Sequence, residues 1–157
     1  IGDTWIEEKF ESQMRISRCM MALPKKYSVQ RVINEMEKAI AIFDDRAEPY
    51  YHLGKHLNYL GMYEQAYYYL TKAKSVSLEK AQEKYILFVS VTCYNEYVND
   101  ELSVSCYYLN KLDQGISLIE EIMDDPKFAT QRLRISKNLE FFENLKKSQQ
   151  ETEKQDA

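Results

Sequence analysis

Two histidines and a glutamate recur at intervals of four in this chain, as Glu48, His52 and His56. On a helix that spacing sets the three side chains on one face, where two imidazoles and a carboxylate could converge on a metal ion. H-x3-H offers no third ligand beyond Glu48, so no metal site and no other cofactor is expected. The acidic pairs Asp100-Glu101 and Asp124-Asp125 invite acid–base chemistry, but no nucleophile accompanies them. Solvated helix positions and caps account for both. A D-x-D metal motif and a Gly-rich loop for a nucleotide diphosphate are absent. Cys19, Cys93 and Cys106 have no metal-type spacing and lie among apolar residues. Buried, reduced thiols in an intracellular, cytoplasmic setting are the expectation. The chain itself is expected to be no enzyme.

Tyrosine is the unusual residue, with twelve of thirteen between Tyr50 and Tyr108. Tyr50, Tyr63 and Tyr94 fall at core-like positions, whereas Tyr51, Tyr59, Tyr97, Tyr107 and Tyr108 do not. A ring with a polar tip can anchor a peptide or stack on a sugar ring.

The elements that position these residues are helical. With 157 residues, four Gly and three Pro, one all-α domain is favoured over a sandwich or barrel. A net charge of −4 argues against a general nucleic-acid binder. No apolar run approaches ~20 residues, so no membrane span is expected. Ile1 in place of an initiating Met suggests a piece of a longer protein.

Residues 47–80 form the clearest unit. Tyr50, Leu53, Gly54 and Leu57 keep one helix face, Gly61 ends the run, and Tyr63, Ala66, Leu70, Ala73 and Val76 line a second helix. Small residues at Gly54, Ala66 and Ala73 allow the two backbones to approach. Upstream, Thr4-x-x-Glu7 reads as a capping box for a helix to about Leu23, with Ile6, Phe10, Ile16, Cys19, Met20 and Leu23 inward. Ser28 caps the next helix, in which Val29, Val32, Ile33, Met36, Ala39, Ile40 and Phe43 form a stripe. Asp44-Asp45 are read as caps for the unit that follows. Downstream, residues 81–93 read as an insertion, extended from Tyr85 to Thr92. A helix from about Tyr94 to Tyr108 pairs with one carrying Leu112, Ile116, Ile119 and Ile122. Residues 129–147, with Leu133, Leu139, Phe142 and Leu145, form a closing helix, and 148–157 are expected to be disordered.

The pattern Tyr50-x2-Leu53-Gly54-x2-Leu57, Ala66-x3-Leu70, Ala73 resembles a tetratricopeptide repeat. A 34-residue shift sets Ile16, Cys19, Met20 and Leu23, then Val32, Met36 and Ala39, on the same pattern. The resemblance implies a right-handed stack of about three helix hairpins (residues 13–46, 47–80 and 96–128) closed by a capping helix. It further implies a concave groove made by the first helix of each hairpin. Tyr51, Lys55, Asn58 and Tyr59 would face it from the second, and Tyr97, Asp100, Val104, Tyr107 and Tyr108 from the third. The positions that would clamp a C-terminal carboxylate, Ser17, Met21, His52, Tyr97 and Glu101, lack the cations for it.

Arg46-Ala47-Glu48-Pro49 and Asp100-Glu101-Leu102-Ser103, with Trp5-x4-Phe10, Leu87-Phe88 and Lys137 to Phe141, are similar to a helical region attached to family 2-type glycosyltransferases in some viral and bacterial proteins. That similarity implies a scaffold beside a sugar-transferring domain, with a protein, a peptide or an acceptor glycan as partner.

Overall fold

The computed structural model describes residues 4–155. Among them are eight α-helices and no strand: α1 (Thr4–Met21), α2 (Val29–Ile40), α3 (Ala47–Tyr59), α4 (Tyr63–Ser75), α5 (Leu78–Lys84), α6 (Glu96–Tyr108), α7 (Leu112–Met123) and α8 (Arg132–Gln155). No described helix is long and apolar enough to cross a membrane. Helices α1/α2, α3/α4 and α6/α7 pair as hairpins; α4 packs on α6, and α8 packs on α7. One apolar cluster runs from Phe10 through Met36, Leu53, Leu70, Leu102 and Ile119 to Phe142.

Local chemistry sets several boundaries. The Ser28 side chain accepts the Arg31 N–H at the start of α2. Gly61 turns α3 into α4 at φ 73°, the left-handed conformation that glycine adopts without steric penalty. Close contact of α3 with α4 depends on Gly54, where a Cβ would lie 2.5 Å from Leu70 Cγ. At Gly115 on α7 a Cβ would lie 2.2 Å from Phe142 Cε1, so α8 docks through a ring seated over a missing side chain.

The first hairpin departs from the 34-residue register. In α1 the buried residues are Glu7, Phe10, Met14 and Ser17, whereas Ile6, Ile16, Cys19 and Leu23 are exposed. Of the three thiols, therefore, only Cys93 and Cys106 are buried. Glu7 forms no capping box, because its carboxylate accepts the backbone N–H groups of Ile86 and Leu87 at 2.6–3.3 Å. Asp44 and Asp45 do not cap α3 either. Asp45 accepts from Lys84 and the Tyr85 hydroxyl, and the Asp44 carbonyl accepts from Tyr50.

Beyond α4, the short α5 precedes an irregular segment and a 3-10 turn at Val91–Cys93. In α8, Ile135 and Phe142 are buried, but Leu133 is 73% exposed. Residues 148–155, expected to be disordered, continue α8 as helix; 156–157 lie outside the described residues. Gln, Glu and Lys in this segment are good helix formers, and Gln149 donates to Asn110 at 2.7 Å, which holds the helix beside the α6–α7 turn.

Candidate functional site

Of Glu48, His52 and His56, the carboxylate is committed to other partners. The Glu48 carboxylate is fully buried and accepts from Arg46 Nε and Nη2 (3.0 and 2.9 Å), the Tyr94 hydroxyl (2.8 Å) and the Ser90 N–H (2.8 Å). His52 Nε2 sits 3.7 Å from Cys93 Sγ. Burial and the nearby Arg18 depress the imidazole to about 4. Burial likewise lifts the Cys93 and Cys106 thiols to about 11, which leaves them unreactive at neutral pH. Among the described residues no three His, Cys, Asp or Glu side chains form a metal-binding group.

Arg46 is itself fully buried, its guanidinium between the Phe10 and Tyr85 rings at 4.9 and 4.8 Å. It also donates to the carbonyls of Leu87 (3.3 Å) and Phe88 (2.8 Å). Burial opposes its charge, but the Glu48 carboxylate more than compensates and raises its pKa overall. This cluster fixes the loop after α5 against the starts of α1 and α3. Arg46-Ala47-Glu48-Pro49, prominent in the sequence, thus has a structural assignment.

The structure divides the expected groove residues into four groups. Tyr51, Lys55 and Asn58 sit where α3 meets α6. Lys55 pairs with Glu101 at 2.8 Å and lies 5.9 Å from the Tyr51 ring, whose hydroxyl burial pushes up to about 12. Asn58 is buried and serves as a bridge: it donates to the Glu101 carbonyl and accepts from Ser105 Oγ, both at 2.7 Å. Tyr59 projects into solvent, 85% exposed. Tyr97 packs on Phe128, and Asp100 is held by a two-pronged contact with Arg134 (3.0 and 2.6 Å), which fastens α8 to α6. Neither Tyr97 nor Asp100 lines the opening described next.

Val104, Tyr107 and Tyr108 do come together. With Ser103 on the same helix and Asn138, Phe141 and Phe142 on α8 they line a cleft of about 360 Å³. Its walls are ordered by ring packing. Tyr108 stacks on Tyr63 at 3.9 Å, and Tyr107 meets both Tyr108 (5.3 Å) and Phe142 (5.2 Å) edge-on. The lining holds no carboxylate, ammonium or guanidinium group. The half-buried Asn138 carboxamide and the Tyr107 hydroxyl have no hydrogen-bond partner among the described residues and remain available. Sequence reasoning missed Asn138 and Phe141, because α8 reads as a cap by its charge pattern. The signal was an aromatic pair, Phe141-Phe142, of which one ring packs inside and the other is 59% exposed.

Compared with protein-family models, curated proteins and solved structures, the chain matches none.

Proposed function

We propose that this chain is a non-catalytic recognition module, a right-handed tetratricopeptide-like stack whose docking site is the cleft between α6 and α8. The cleft carries the reading. It is concave, walled by interlocked rings, and offers two free polar groups but no charge. Those features suit an uncharged, partly apolar segment of a protein partner. The hairpin pairing and the small residues Gly54 and Gly115 support the stack. In a longer polypeptide the module would position a partner for a glycosyltransferase-type domain, in a cytoplasmic setting. An acceptor glycan is the second reading, favoured by the free Asn138 carboxamide beside aromatic faces.

An array of acetylated, amidated peptides of varied sequence, probed with the wild type and with Phe141→Asp, tests the docking site. Retention by uncharged, bulky sequences that Phe141→Asp abolishes supports the reading. Equal retention by both proteins, or preference for charged sequences, overturns it. A neutral oligosaccharide array probed the same way decides the second reading.

A further inference from the structure

We infer that the groove between α2 and α4 is a second binding site, one that takes a quaternary ammonium group against the rings of Tyr68 and Tyr69 and the Glu64 carboxylate. It shares no residue with the α6–α8 cleft, so either site can fail without the other.

The groove follows from helix spacing. On α4, Glu64 and Tyr68 are four residues apart, as are Gln65 and Tyr69, and the four side chains form one wall. Gln30 and Ile33 face them from α2 across a volume of about 300 Å³. The two rings are inclined at 81° with centroids 5.1 Å apart, so their π faces turn in two directions. Tyr69 is buried and fixed, its hydroxyl donating to Glu37, whereas Tyr68 stands 56% exposed beside it. A cation is drawn to a ring face within about 6 Å of the centroid. The chain already shows this attraction, because the Lys72 ammonium lies 5.9 Å from the centre of the Tyr68 ring.

Charge selects the occupant. Glu64 has no hydrogen-bond or ion-pair partner among the described residues. The cations of α2 do not answer it, since Arg31 and Lys38 both pair with Glu35 (3.3 and 2.8 Å). The surroundings are negative as well. Burial and, after it, the charge of Asp44 raise the phenol of Tyr50, a neighbour of Tyr68, and Glu37 adds in the same direction.

One free carboxylate matches one positive charge. A primary ammonium has three N–H donors to satisfy and holds its water tightly. A trimethylammonium group has none, and its methyl groups can pack on the rings and on Ile33 while the charge stays near Glu64. A phosphate attached to the same ligand would meet Glu64 and Glu37 and be repelled. Choline and the side chain of a trimethylated lysine meet these terms; phosphocholine does not.

Two-dimensional NMR titration with choline chloride, against sodium chloride at equal ionic strength, tests this. Amide signals of residues 30–37 and 64–69 should shift, with a dissociation constant on the order of 1 mM. The uncharged isostere tert-butylethanol should bind at least about fivefold more weakly, and phosphocholine likewise. Tyr68→Leu, at an exposed position, and Glu64→Gln should each weaken choline binding about threefold or more with unchanged circular dichroism. Lys72→Gln removes the chain's own competitor for the Tyr68 ring and should tighten binding about twofold. Capped trimethyllysine, run beside capped lysine, identifies the source. Tighter binding than choline assigns a methylated protein, and weaker binding assigns free choline. Absence of shifts, equal binding of tert-butylethanol, or choline binding that Tyr68→Leu leaves intact overturns the inference. Binding that Phe141→Asp abolishes overturns it too, because it then belongs to the α6–α8 cleft.

Discussion

Arg46 and Glu48, two residues apart, form a two-pronged ion pair that neither shares with solvent, and between them they hold the backbone of a loop forty residues downstream. A buried pair of this kind is weak evidence for net stability, but it is costly to break. Arg46→Met should lower the unfolding free energy by about 3–5 kcal/mol, because Glu48 is left charged in the core. Arg46→Met with Glu48→Leu should recover part of that loss, and urea unfolding of the three proteins measures it. A double variant worse than the single would show that the loop contacts outweigh the stranded charge.

Gly54→Leu and Gly115→Leu place side chains where Leu70 and the Phe142 ring already sit. Each should cost about 1–3 kcal/mol or more. The two should differ in reach. Hydrogen exchange should quicken throughout α3 and α4 for the first, and chiefly in α8 for the second.

Asn58→Ala removes a carboxamide that closes two hydrogen bonds between α3 and α6. The stranded Ser105 hydroxyl and Glu101 carbonyl should make this cost about 1–3 kcal/mol, read from thermal or urea unfolding. An Asn58 that served a groove ligand would instead leave stability unchanged.

His52 gives the fold an acid sensitivity of definite sign. Its pKa is depressed from 6.5 to about 4 by burial and Arg18, so between those values the unfolded chain binds a proton that the folded chain does not. Stability should therefore fall as pH drops from about 6.5 towards 4, by on the order of 2 kcal/mol after allowance for residual solvent contact. His56, also depressed by burial, adds in the same direction. Urea midpoints at pH 7 and pH 4.5 should differ less in His52→Gln than in the wild type.

Binding at an uncharged cleft should barely respond to salt. Affinity for a neutral peptide should change by no more than about twofold between low and high salt, whereas a nucleic-acid ligand would weaken steeply.

Much of the helical order could be read in the sequence, because it is local. Ser28, Gly61 and the Gly54–Leu70 approach act within a few turns of themselves. The α1 register was misread because polarity misleads there. Glu7 and Ser17 go inside, and the partner that makes Glu7 tolerable lies some eighty residues on. The same limit governs the site. Tyr107 and Tyr108 were visible as aromatics off the core stripe. Asn58 and Asp100 looked equally free, since Ser105 and Arg134 could be matched to them only in three dimensions.

The Glu7 contact with Ile86 and Leu87 spans 79 and 80 residues, in a fold whose other packing is largely between neighbouring elements. A helical fold held only by contacts between neighbouring elements can melt piecemeal from either end. Here α1 cannot detach without releasing the loop, and the loop cannot loosen without baring Arg46. The N-terminal half is therefore a single cooperative block, and fraying should begin at α8.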